Sequence, residues 1–246
     1  MRTAFGRACL VTCLVLMAWT GAACSSIRDG GQACSAGASA LPSDSLQDWV
    51  TYSDYLVEWR ATGESRLPPT PEEAAAGEGT ITRLVQVESR RVLWRRPSAP
   101  EPLSVPQVLD VASGGWEFHG KKERPFEGLA PGLEVGRSYL AVLSFTDISA
   151  MSTRPEGPEW IALDYFELDD DHVVAQGAGA CRSAQLEEAV VGKSTAEVAA
   201  LLAATSVDPD AEPYLDLDPV IRFQRAATDK TANSSYTPGP GPGEKE

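Results

Sequence analysis

The stretch TITRLVQVESRRVLWRR, residues 80–96, decides how the rest of the chain reads. Its first half alternates, with Leu84 opposed to Val85 and Val87, and beyond the charged residues 88–91 the apolar phase shifts to Val92 and Trp94. Period-two alternation marks an extended chain, whose successive side chains point to opposite faces. A long strand whose buried face changes phase part-way needs a bulge or a sharp bend, as strands of small closed barrels have.

Working outward, SYLAVLSF at 138–145 is almost continuously apolar and fits a central strand buried on both faces. WIALDYFELDDDHVVA at 160–175 sets Ile161, Leu163 and Tyr165 on one face, then three aspartates, then Val173 and Val174, the pattern of a β-hairpin. Upstream, SDSLQDWVTYSDYLVEW at 43–59 has Asp44 and Gln47 at capping-box spacing, with Leu46, Trp49, Val50 and Leu56 on one helical face before a strand begins near Val57. LPPTPEEAAAGEG at 67–79 reads as a polar loop. In GKSTAEVAALLAAT at 192–205, Ser194 and Glu197 form a capping box ahead of Val198, Leu201 and Leu202. Short strands between Pro/Gly-rich loops, with few helices, predict a mainly β (α+β) fold. The expected form is a small OB-like barrel or a sandwich with an N-terminal helical segment and a C-terminal helix.

The N-terminus reads as an address. Arg2 and Arg7 precede an apolar run at 8–19 and the small residues Gly21, Ala22 and Ala23, the order of an export signal over residues 1–23. The run is shorter than the about 20 apolar residues of an ordinary membrane-spanning helix. There is no adjacent arginine pair, so the general secretory route fits better than the twin-arginine one. Three small residues directly before Cys24 resemble the lipobox of bacterial lipoproteins, with Gly21 standing where that motif has leucine. The resemblance implies cleavage before Cys24, a diacylglycerol on its thiol, and a protein held by this anchor on the extracytoplasmic face of the cell membrane. The competing reading is secretion with cleavage after the A-x-A at 38–40, far beyond the apolar core. GLEVGRSYLAVL at 132–143 resembles a G-x-x-Y-L-x-x-L stretch of exported actinobacterial proteins of unknown function, which implies no activity.

Of five cysteines, Cys9 and Cys13 leave with the signal and lipidation uses Cys24, so Cys34 and Cys181 remain as an even pair. In an oxidising compartment they most simply form a disulfide; the alternative is two buried thiols. The expected organisation is a signal peptide at 1–23, a lipid-anchored linker at 24–42, one β-rich domain at 43–228 and a disordered Pro/Gly-rich tail at 229–246.

The chain carries 35 acidic against 21 basic side chains, and loss of Arg2 and Arg7 takes its net charge from −14 to about −16. Such a polyanion is ill suited to nucleic acid, whose binding depends on neutralising phosphates, and is repelled by anionic lipid. The acyl chain is then the membrane contact.

Each tempting chemistry is incomplete. GKST at 192–195 lacks the glycine five residues before Gly192 that a phosphate-binding loop needs; Glu187 stands there. DDDH at 169–172 has the residues of a cation or acid–base site but also those of a hairpin tip. DPDAEPYLDLDP at 208–219 opens like an EF-hand, yet puts Pro213 and Pro219 where glycine and glutamate belong. His119 and His172 are the only histidines, without H-x-x-x-H or C-x-x-C spacing, and no G-x-S-x-G occurs. The basic ESRRVLWRRP at 88–97 splits in a strand into Arg90 with Arg96 and Arg91 with Arg95. These arginines either meet phospholipid headgroups or an acidic polymer, or pair with the many acids.

No catalytic residue, metal or cofactor is therefore assigned. The leading expectation is a non-enzymatic binding or envelope-accessory module with an unidentified protein or envelope ligand. The alternative is a cell-envelope hydrolase whose acid/histidine site is assembled only by the fold.

Overall fold

The computed structural model describes residues 41–99, 103–125, 132–147, 157–175 and 183–234. The export segment with Cys24, and both Cys34 and Cys181, lie outside the described residues.

A mainly β architecture is what forms. Seven antiparallel strands make one curled, half-barrel sheet: β1 (Tyr55–Leu67), β2 (Glu78–Arg95), β3 (Val108–His119), β4 (Lys122–Pro125), β5 (Ser138–Asp147), β6 (Pro158–Asp169) and β7 (His172–Val173). They lie in the order β4-β3-β2-β1-β5-β6-β7. Five helices accompany them: α1 (Leu46–Tyr52), α2 (Pro71–Ala76), α3 (Ala184–Val190), α4 (Thr195–Ala204) and α5 (Pro219–Ser234). None of the described helices is long and apolar enough to cross a membrane.

The alternation in β1 and β5 divides the core between the two faces of the sheet. Tyr55, Val57, Trp59 and Ala61 of β1 join Val85 and Val87 of β2 and Tyr139, Ala141 and Leu143 of β5 inside the curl. Leu56, Leu140 and Val142 point the other way, against Trp49, Val50, Val198, Leu202 and Val220 of the helices. SYLAVLSF is thus a central strand buried on both faces, as its composition predicts.

The phase change in β2 is made by bulges. Leu56 pairs with Trp94 but Val57 with Val92, and Glu58 pairs with Arg91 but Trp59 with Ser89, leaving Leu93 and Arg90 as extra residues. Val85 and Val87 therefore line the curl, whereas Leu93 and Trp94 pack with the helices. The bulges also put Val92 on the exposed side, at 53% exposure, against the expectation that it follows Trp94 inward. A bulge in β6 acts likewise: Val142 pairs with Asp164 and Leu143 with Ala162, so Leu163 is extra. Ile161 and Leu163 face the helices as expected, but Tyr165 crosses to the other face.

The cap of α1 is Ser45, which accepts a bond from the Asp48 amide at 3.0 Å, one residue beyond the expected Asp44. Leu41, read as linker, is buried against this helix side of the sheet. The stretch read as a polar loop holds α2, whose Thr70 and Glu73 complete a reciprocal capping box. The Ser194–Glu197 box on α4 forms as expected. Replacing Ser194 by alanine is expected to cost about 1 kcal/mol in urea denaturation. α5 starts on Asp218, whose carboxylate accepts the Val220 amide at 2.9 Å, and runs to Ser234, past residue 228 where the tail was expected.

Candidate functional site

The order β3-β2-β1-β5-β6 with antiparallel steps makes β3 and β6 run parallel to each other, on opposite sides of a seam in the half-barrel. A cavity of about 580 Å³ occupies this seam. It is lined by Asp110, Val111 and Ala112 of β3 and by Glu159, Trp160, Ile161 and Ala162 of β6. Consecutive strand residues point to opposite faces, so a cavity touching all of them abuts the strand edges themselves. The β1–β2 connection closes one end with Leu67, Pro68, Thr70 and Glu73.

Trp160 is held in this wall by ring contacts, with centroids 5.6 Å from Tyr55 and 5.3 Å from Phe145. Tyr55 is fixed in turn by its hydroxyl, which donates to the Leu103 carbonyl at 2.5 Å. Among the described residues no lysine or arginine lines the cavity. Its three carboxylates differ. Glu73 accepts the Thr70 amide at 2.8 Å and the Thr80 amide at 3.1 Å, and these bonds, the Thr70 amide first, hold its carboxyl below the usual range. Asp110 and Glu159 have no hydrogen-bond or ion-pair partner among the described residues.

A second polar cluster is fully engaged by the fold. Asp54 (1% exposed) and Arg96 (2%) pair at 2.7 Å. The other Asp54 oxygen accepts the Phe145 amide at 2.9 Å, while Arg96 also donates to Ser53 O at 3.0 Å, to Leu215 O at 3.0 Å and to Ser98 Oγ. Arg222, wholly buried, donates to the carbonyls of Tyr214, Leu215, Leu217 and Thr51. Burial, and then the neighbouring Arg96, push its pKa down to about 10. Together these groups bind the α1–β1 turn to the 214–218 loop and the start of α5. They form a clasp, with cavities of about 280 Å³ on either side of Arg96.

Beside the clasp, burial first, then Asp208 and Asp48, raise the Tyr52 hydroxyl to about 12. The folded chain keeps this proton after the unfolded chain has lost it near pH 10, so Tyr52 contributes stability that falls away from pH 10 to 12. Arg222, lowered from 12.5 to about 10, works in the opposite sense over that range. Denaturation at pH 9, 10 and 11 should therefore show the native chain losing stability relative to Tyr52→Phe as pH rises.

The residues singled out by sequence are placed apart from the seam. Asp169–His172 is a hairpin, with Asp169 opposite His172 and Asp170 in the left-handed region at φ 54°. His172 contacts Asp171 at 2.7 Å and His119 contacts Glu78 at 3.4 Å, both more than half exposed. The GKST amides are spent on the fold: Gly192 donates to Val173 O, Ser194 to Glu197 and Thr195 to Asp171 O. No backbone cradle for phosphate is left. In the acidic stretch, Asp208 caps a turn through the Asp210 amide at 3.0 Å and Asp218 caps α5. Among the described residues no three His, Cys, Asp or Glu are grouped to hold a metal ion.

The arginine run is not one basic face. Arg90 pairs with Glu88 at 3.0 Å and Arg91 with Glu58 at 2.8 Å. Arg95 donates to Ala99 O at 3.0 Å beside the Tyr55 ring, and Arg96 is in the clasp. Three of the four, Arg90, Arg91 and Arg96, thus pair with neighbouring acids. The seam residues carried no sequence signal, since Asp110, Glu159 and Trp160 meet only through the order of the strands. Compared with family models, with curated proteins and with solved structures, the chain matches none, so its function has to be read from this geometry.

Proposed function

We propose that this chain is an exported lipoprotein, tethered through Cys24 to the extracytoplasmic face of a bacterial membrane, whose half-barrel binds a ligand or partner in its open seam without turning it over. The carrying observation is the seam: a cavity of about 580 Å³ with the ring of Trp160 in its wall and the unpaired Asp110 and Glu159 at its edges. The wall is mixed, with Val111, Trp160 and Ile161 beside Thr80, Asp110 and Glu159, and a concave site that sets aromatic and apolar side chains beside placed polar groups is suited to binding. The clasp supports the same reading, since the one buried carboxylate among the described residues, Asp54, is engaged by Arg96 and a backbone amide. The anchor is supported by the order Arg2, Arg7, apolar 8–19 and Gly21-Ala22-Ala23-Cys24, and the proposed Cys34–Cys181 bridge by cysteine parity.

Two measurements test the two halves. Mass spectrometry of the mature N-terminal peptide from native membranes, with and without reductant, should give a diacylglyceryl Cys24 and a Cys34–Cys181 link lost on reduction. A free N-terminus after Ala40 sinks both. Hydrogen exchange in the full chain, with and without a detergent extract of the native envelope, should show amides of 108–115 and 159–163 slowed by the extract. Unchanged exchange there removes the seam as the binding site.

A further inference from the structure

We infer that the seam takes an extended peptide segment of a partner protein, added as a strand between β3 and β6 and carrying lysine or arginine toward Asp110 and Glu159. The inference rests on the reading of the seam as a binding site.

The backbone comes first. β3 is paired on one side with β2 along its length, but on the other side β4 reaches only residues 116–119. Among the described residues no strand pairs with that outer edge over 108–115; at Ser113 the hydroxyl accepts the Leu133 amide at 2.7 Å and the carbonyl accepts from Arg83 at 3.5 Å. β6 is paired with β5, and β7 covers only Leu168 and Asp169 on its far side, leaving the edge of 159–163 without a strand partner there. Each edge presents a row of amides and carbonyls, which is the template for strand addition. The cavity abuts both rows at once.

Direction comes next. Because β3 and β6 are parallel to each other, pairing them directly would join an otherwise antiparallel sheet by its one parallel contact. A single added strand, antiparallel to both, completes a ring of six strands in which every step is antiparallel and the facing edges of β3 and β6 are both paired. An isolated apolar ligand would satisfy neither row of backbone groups.

Charge selects the occupant. Among the described residues Asp110 and Glu159 at the seam edges have no partner and no cationic side chain lines the cavity. A second copy of this chain carries a net charge of −14, and the repulsion between two such polyanions opposes its docking at these acids. The chain's own C-terminal TPGPGPGEKE has prolines at 238, 240 and 242, which have no N–H for a ladder. A basic, β-favouring segment of another protein meets both demands, with alternate apolar residues set against Val111, Trp160 and Ala162.

The test uses the full chain and three acetylated, amidated eight-residue probes: alternating Val-Lys, alternating Val-Glu, and the Val-Lys peptide N-methylated at every residue. The Val-Lys peptide should slow exchange of amides in 108–115 and 159–163 at least tenfold. The Val-Glu and N-methylated peptides should leave them unchanged. Asp110→Asn with Glu159→Gln, both at surface positions, should weaken Val-Lys binding about tenfold at low salt. Equal protection by the N-methylated peptide, or amides already protected in the free protein by its own chain, overturns strand addition. Protection by the envelope extract but by no peptide also overturns it while leaving the seam a binding site; protection by neither removes both.

Discussion

Arg96→Ala is expected to lower the stability of the domain by about 3–5 kcal/mol, because it leaves the Asp54 carboxylate charged, buried and short of its partner. That is a large share of the 5–15 kcal/mol by which domains are ordinarily stable. Asp54→Ala should cost a similar amount, since the guanidinium would be stranded in the same place and the Phe145 amide would lose its acceptor. The double variant Arg96→Ala with Asp54→Ala is expected to be less damaged than the sum of the singles, as removing the whole buried pair removes the stranded charge. Urea denaturation of the four proteins, followed by tryptophan fluorescence, gives the coupling directly; additive losses would mean that the pair is not a unit.

The second large effect falls on Arg222. Its guanidinium reaches four backbone carbonyls from two places in the chain; Tyr214 O also accepts the Leu217 amide and Leu215 O is shared with Arg96, so alanine would leave the acceptors at Thr51 and Leu217 bare. At about 1–3 kcal/mol for each unsatisfied buried group, a loss of at least about 2 kcal/mol is expected, or roughly 4–8 °C in melting temperature. Arg222→Lys should recover little, because an ammonium has no planar fork with which to reach carbonyls on different sides. Hydrogen exchange should place the damage first in α5 and the 214–218 loop. Since Arg96 and Arg222 share the Leu215 carbonyl, their losses are not expected to add.

The strands were legible wherever side-chain alternation carried the information. The phase change in 80–96 announced the bulges, and the three aspartates announced the turn between β6 and β7. Val92 and Tyr165 were misplaced because a bulge can sit at any of several neighbouring residues, and the pattern fixes only that the phase changes. α2 was signalled by T-P-E-E, a threonine cap, a proline at the first turn and a glutamate three residues on, and was obscured by the polar composition around it. The clasp was hidden for another reason. Arg96 looks like one member of a basic run, and its burial follows from the 214–218 loop and α5, which arrive more than a hundred residues later. The seam was the least legible, as its residues are ordinary and only the sheet order sets them face to face.

The central position of β1 bears on how the chain acquires its shape in time. One edge of β1 is matched by β2, its neighbour in sequence, but the other waits for β5: Tyr55 pairs with Leu143 and Arg60 with Ser138. A chain appearing N-terminus first can therefore build the β1–β4 meander from nearby segments while the opposite side of β1, with Leu56 and Val57, stays bare. Closing that gap brings together residues about eighty positions apart, the kind of long-range pairing that slows folding from microseconds toward milliseconds or seconds. During that interval β1 is an unpaired edge, and residues 55–60 are where a partly folded chain is most open to pairing with another.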